Sequence, residues 1–144
     1  MRKLTLAEYQ GLAEFRQLIR GYLSFSEQAV LAAGLERGQY QMMLAIKGMP
    51  EGVRPRIREV ANRMHIQHHS AVELINRLEA GGYVRRVRAQ EDKREVLLAL
   101  TRKGERVLGK LALHHREELK NAAPGLVAAL RRVMKDGEIG RLSH

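Results

Sequence analysis

Residues 56–101, RIREVANRMHIQHHSAVELINRLEAGGYVRRVRAQEDKREVLLALT, run through two helical patterns, a double glycine and a basic hairpin with no spare residue between them. Ile57, Val60, Ala61 and Met64 recur at the i, i+3, i+4, i+7 spacing that lines one helix face with apolar side chains. Pro55 precedes this run and suits a first helical turn. Beyond His65-Ile66-Gln67, a second stripe of Ala71, Leu74, Ile75 and Leu78 runs up to Gly81-Gly82, a strong helix stop. Two short helices joined by about three residues form a helix-turn-helix pattern. Val84 and Val87 then lie on one extended arm, and Val96, Leu98 and Leu100 alternate along a second, with a polar tip between them. Thr101 offers a hydroxyl N-cap for a helix starting at Arg102. The expected fold class is mainly α with a small β-hairpin wing, a winged helix-turn-helix.

Outward from this module the chain is helical. Thr5-Leu6-Ala7-Glu8 fits a capping box, in which a hydroxyl and a carboxylate three residues apart satisfy each other's backbone donors, so a helix is expected near Leu6. Leu12, Phe15, Ile19 and Tyr22 continue at helical spacing, with Val30 and Leu31 before Gly34, giving a helix well beyond the average of about 11 to 12 residues. Ser24-Phe25-Ser26 is expected to bend or divide it, since serine competes for backbone hydrogen bonds. Residues 36–47 predict a compact helix with Tyr40, Met43, Leu44 and Lys47 in register. Glu51 to Arg54 read as a loop or very short strand that pairs beside the hairpin. After Thr101, Leu108, Leu111, Ala112, His115 and Leu119 mark a helix to about Asn121; Pro124-Gly125 is expected to break it before a last helix carrying Leu126, Leu130 and Val133. The tail from Asp136 is expected to fray. Two long apolar helical regions around a reading module suggest that the ends come together and pair with a second copy.

With 144 residues the chain suits one domain: residues 1–35 and 102–144 as dimerisation helices, and 36–101 as the DNA-binding module. Against 16 Asp plus Glu stand 26 Lys plus Arg, and the net charge of +10 favours a polyanionic partner. No apolar run reaches the roughly 18 residues of a membrane span and no signal-peptide core opens the chain, so a soluble cytoplasmic protein without a membrane partner is expected. With no cysteine, disulfides and thiolate chemistry are excluded. The absence of Trp and the presence of only two Phe argue against a base-stacking platform and for duplex DNA.

At 100° per residue, the stripe Ala71, Leu74, Ile75, Leu78 puts His69, Val72, Glu73 and Asn76 on the opposite face, flanked by Ser70 and Arg77, with His68 at the helix start near phosphate. Such a face carries the equipment of major-groove readout: Asn pairs with adenine, Glu accepts from cytosine and Val packs on a thymine methyl. A plain solvated face is the alternative, and the neighbouring hairpin weighs against it. Arg85, Arg86, Arg88, Lys93 and Arg94 crowd that hairpin against Glu91, Asp92 and Glu95, so Arg88, Lys93 and Arg94 are expected at phosphate or in the minor groove. Asp92 is expected to orient a neighbouring arginine. His65, His68, His69, His114 and His115 raise a metal site, but no acidic residue completes a ligand set and none is assigned; His115 lies on an apolar face, where a satisfied interior histidine is the ordinary case. No nucleophile, base and orienter converge, and no Gly-rich phosphate loop precedes a helix, so neither catalysis nor a cofactor is expected.

These segments together resemble the MarR (multiple antibiotic resistance regulator) family of transcription factors over nearly the whole chain. The carriers are GQYQMMLAIKG, REVANRM, VELINRLEAGGYVRR and EDKREVLLALTRKGERVL, the last with the Asp-x-Arg wing pattern at Asp92 and Arg94 and a Leu-Thr-x-x-Gly helix start. The resemblance implies a homodimer on an inverted-repeat operator and often release on binding a small-molecule effector in a cavity between the dimerising helices and the winged module; repression by occupying the operator and excluding polymerase is the expected mode of action. Glu73 stands where the family often carries Arg or another neutral or basic polar residue, and Asn76 where Asp is common, so a different base preference is expected. The rival readings are a non-specific architectural DNA binder and a dimeric sensor that no longer binds DNA. The varied polar helix face opposes the first and the basic hairpin the second.

Overall fold

A computed structural model describes residues 2–92 and 94–134, which form α1 (Leu6–Ala32), α2 (Arg37–Lys47), α3 (Ile57–Met64), α4 (His68–Ala80), β1 (Val84–Arg88), β2 (Val96–Leu100) and α5 (Arg102–Val133). They divide into two compact units, residues 2–28 with 114–134, and residues 29–113. The expected frayed tail from Asp136 lies outside the described residues.

The Ala29–Leu113 unit is the winged helix-turn-helix. Ala71, Ile75 and Leu78 of α4 are fully buried with Val60 and Ala61 of α3, Met42 and Met43 of α2, Val84 and Leu98 of the hairpin and Leu108 of α5, while Leu74 packs half-buried at the edge. The turn between α3 and α4 is closed by His65 in the left-handed region, φ 56°, with the Ile66 N–H donating to Ala61 O at 3.1 Å. At the far end of α4, Gly82 takes φ +79° and lets the Tyr83 N–H reach Leu78 O at 2.9 Å, turning the chain directly into β1. The strands pair antiparallel, Val84 opposite Leu100, Arg86 opposite Leu98 and Arg88 opposite Val96. Cross-strand partners share a face, so Arg86 lies on the same face as buried Val84 and Leu98.

Thr101 performs the capping expected of it and one task more. Its hydroxyl accepts the Gly104 N–H at 3.0 Å and donates to Gly82 O at 2.6 Å, tying the start of α5 to the end of α4. A Cβ on Gly104 would run into the Tyr83 carbonyl oxygen, so only glycine fits there.

Two local expectations change in this unit. Pro55 sits outside α3, whose N-cap is Arg56, because the Pro55 carbonyl accepts the Leu98 N–H at 2.9 Å and holds that residue extended along β2. The pairing beside the hairpin thus falls at Pro55, just past the Glu51-Arg54 segment. On α2 the buried arc is Gln39, Tyr40, Met42, Met43 and Ile46; Leu44 is exposed, and Lys47 reaches out to Glu105 at 3.1 Å. Both arcs have helical spacing, and the neighbours that cover one of them are remote in sequence.

In the other unit α1 and α5 pack closely. The Thr5 and Glu8 box forms as expected, with N–H to side-chain distances of 3.1 and 3.2 Å, and Arg2 adds a two-pronged contact to Glu8 at 3.0 and 2.9 Å. The Arg2 guanidinium and the Thr5 amide hold the Glu8 carboxyl down at about 2, well below the usual 4.5. A Cβ on Gly11 would lie 2.8 Å from Ala129 O and 2.8 Å from Arg132 Cβ, and one on Gly125 would lie 3.0 Å from Leu18 Cδ1, so small residues set the approach of the helices. His115 is buried, its Nε2 2.5 Å from Ser26 Oγ, with Tyr22 and Phe25 edge-on at 6.1 and 6.0 Å.

Neither long helix is divided at the expected place. α1 runs through Ser24-Phe25-Ser26, where the Ser26 hydroxyl is engaged by His115. α5 runs through Pro124, although a proline inside a helix removes a hydrogen bond at a cost of about 3 kcal/mol. Burial of Ala129 and the seating of Leu18 at Gly125 favour continuity on the α1 side.

Candidate nucleic-acid interface

Because α4 buries Ala71, Ile75 and Leu78, its opposite side faces solvent. His68, His69, Glu73, Asn76 and Arg77 are exposed, and Ser70 and Val72 are half-buried at the margins. At the wing, Arg88 and Arg94 are exposed, and the Arg94 side chain is 94% accessible. Asp92 Oδ1 accepts the Arg94 backbone N–H at 3.0 Å and lies 3.4 Å from its Nε, a local turn contact at the wing tip. Lys93, also expected at phosphate, lies outside the described residues.

The α4 face and the wing are joined by a side chain that periodicity did not single out. Arg86 comes off the inner face of β1, donates from Nη2 to Asn76 Oδ1 at 2.9 Å, and pairs through Nη1 with Glu79. Arg77 pairs with Glu36 at the N-cap of α2, 3.2 Å away. Asn76 and Arg77 therefore both already have partners, and the Asn76 amide is turned with Oδ1 toward the wing and Nδ2 elsewhere.

A second set of ion pairs holds the wing to the segment before α3. Arg54 meets Glu91 Oε2 at 2.9 Å and Glu95 Oε2 at 3.2 Å, and Arg56 Nε meets Glu95 Oε1. The hydrogen bond to Glu91 raises the Arg54 pKa above its ordinary value, and the same bond lowers that of Glu91. These partners are 37 to 41 residues apart, so no local spacing advertises them. Charge type was the only signal available, in arginines before one element and carboxylates after another.

Among the described residues no three His, Asp or Glu side chains converge as a metal site, and no helix is long and apolar enough to cross a membrane. In the Ala29–Leu113 unit an open groove of about 400 Å³ lies between α2 and α3, lined by Leu44, Arg63 and Met64 among others. In the unit of α1 and α5, one of about 360 Å³ runs past Leu18, Tyr22 and Asn121.

Residues 33–95, from the approach to α2 through the wing, match the family model described as MarR family. Over that stretch the chain is similar to the MarR family. A curated relative, the HTH-type transcriptional regulator TtmR of Methylorubrum extorquens (strain PA1), is 31% identical over 109 residues, 76% of this chain and 51% of that protein. The chain thus spans about half the length of the curated relative it matches. Among solved structures, AbsC, a MarR family transcriptional regulator from Streptomyces coelicolor, superposes with a TM-score of 0.69 at 22% identity and full coverage of both chains. A MepR mutant of S. aureus bound to an oligodeoxyribonucleotide gives 0.61 at 15% identity, covering 98% of this chain and 92% of that one. At those identities the likeness shows the family's winged-helix fold with long terminal helices.

Proposed function

We propose that this chain is a MarR-type, homodimeric, sequence-specific reader of double-stranded DNA that represses transcription by occupying an inverted-repeat operator and releases it when a small-molecule effector binds. The observation that carries the reading is the exposed polar side of α4, held in place beside a cationic hairpin. In this assignment His68, His69, Ser70, Val72, Glu73, Asn76 and Arg77 meet the major groove and its flanking phosphates, and Arg88, Lys93 and Arg94 meet the backbone or an adjacent minor groove. With Oδ1 engaged by Arg86, Asn76 offers its Nδ2 donors to guanine or thymine acceptors instead of the two-point adenine contact.

Residues 1–35 and 102–144 serve as the dimerisation helices and 36–101 as the reader. Support comes from the unit of α1 and α5, where Leu6, Tyr9, Leu12, Leu119, Val127 and Leu130 are exposed and apolar, a surface suited to a second copy. A dimer offers two α4 helices to half-sites about 34 Å apart, and an effector that favours another spacing weakens binding. The net charge of +10 and the MepR–oligonucleotide complex of the same fold point to the same partner.

The test is selection of bound duplexes from a random library at near-physiological salt, with the oligomeric state measured in parallel. Enrichment of an inverted repeat bound by a dimer is expected. Tight binding with no enriched motif and a steep salt dependence would replace this reading with a non-specific architectural one.

A further inference from the structure

We infer that Glu95 is a positioning residue for the wing, an inference that rests on the DNA-binding reading above. Its carboxylate is the shared acceptor of two arginines from one segment, Arg54 at 3.2 Å and Arg56, and its side chain is only 17% accessible. The backbone around it belongs to the hairpin: Ala89 N–H donates to Glu95 O at 3.0 Å, and Glu95 N–H donates to Asp92 O at 3.0 Å. The segment it grips is itself stitched to β2 through the Leu98 N–H and Pro55 O, at 2.9 Å. Glu95 thus closes a ring of contacts: the hairpin backbone, the carboxylate, the two guanidinium groups and Pro55 on the way back to β2. A two-stranded hairpin is marginal on its own, and this one gains a third edge from the Arg54-Arg56 segment.

The feature is informative because it opposes simple electrostatics. A carboxylate beside a phosphate-binding hairpin repels the duplex, and Arg56, if released, would be available to a phosphate, while Arg54 would keep its pair with Glu91. On charge alone, neutralising Glu95 tightens binding and steepens the salt dependence. As a positioning residue, its loss does the reverse, since the wing must then be ordered at the moment of binding.

The test compares the full-length protein with its Glu95→Gln variant, first without DNA and then on the selected duplex. Without DNA, amide exchange at Ala89 and Leu98 is expected to quicken roughly tenfold while α4 amides stay as they were. Unchanged exchange in the wing overturns the inference, whatever happens on DNA. On DNA at near-physiological salt, affinity is expected to fall roughly fivefold with no added salt dependence. Equal or tighter binding, with a steeper salt slope, overturns it as well. Arg56→Gln provides the second variant and is expected to quicken the same two amides; if it does not, Glu95 is not holding the wing through that arginine. A protein that binds no duplex at all but shows the faster wing exchange keeps Glu95 as the wing's clamp and removes the regulator reading instead.

Discussion

The two compact units are held by opposite kinds of contact. Between α4, the wing and the segment before α3, charged groups meet: Arg86 with Asn76 and Glu79, Arg77 with Glu36, and Arg54 and Arg56 with Glu91 and Glu95. Between α1 and α5 close packing is prominent, at Gly11 and Gly125, with His115 Nε2 against Ser26 Oγ. Exposed ion pairs are worth about 0–1 kcal/mol each and weaken with salt, whereas tight packing does not respond to salt in that way. Exposed pairs such as Arg77–Glu36 can exchange partners for phosphates and bases, while the less accessible Glu95 keeps its arginines; a glycine-mediated helix contact has no such alternative. What the contrast teaches is that the α4 and wing surface responds to salt, while the packing of α1 on α5 does not depend on salt in that way.

This contrast can be broken at several points. The largest effect is expected from Gly104→Ala, whose Cβ collides with the Tyr83 carbonyl; backbone must shift, costing about 3 kcal/mol in chemical denaturation and disturbing the α4–β1–α5 junction. Gly11→Ala is expected to cost about 2 kcal/mol, because the nearest obstacles are a backbone oxygen and a Cβ at 2.8 Å. Ser26→Ala removes a hydrogen-bonding partner of the buried His115 imidazole and should lose about 1–2 kcal/mol at any salt concentration; a loss that disappears in high salt would show that contact to depend on salt. Arg94→Ala leaves the fold intact and lowers operator affinity about fivefold, evenly across sequences, with the salt slope reduced by roughly one; unchanged titrations would remove Arg94 from the interface.

The smallest effect concerns pH. Glu8 titrates at about 2 in the folded chain against an ordinary 4.5, so its contribution is fully present above about pH 4.5 and is lost as pH falls toward 2. Glu8→Gln should flatten that acid limb by lowering stability above about pH 4.5, where the carboxylate contributes, and should leave it unchanged near pH 2.

The helix-turn-helix and hairpin were legible because their signals are local. The α4 stripe, the Gly81-Gly82 stop and the alternation in β2 each lie within one or two turns or one strand, and the structure has α4 at His68–Ala80 and β2 at Val96–Leu100. The capping residues Thr5 and Thr101 were readable for the same reason, since their partners are three residues away. Periodicity placed Leu44 and Lys47 of α2 in register with Tyr40 and Met43, whereas Met42 and Ile46 are buried instead, because the covering α3, α4 and β2 are remote in sequence. Pro124 and the Ser24-Ser26 pair carried breaking signals that packing overruled.

From sequence alone came the order of elements from α1 to the wing, the side of α4 that faces solvent and the cationic character of the wing, all consequences of side-chain period and charge along a continuous chain. Tertiary structure alone decided the partners of those charges. Arg86 turns inward to Asn76, and Glu95 collects Arg54 and Arg56 across about forty residues, because strand register and the Pro55 hydrogen bond bring distant segments within reach. Spacing along the chain carries no information about contacts that exist only after the chain has folded back on itself.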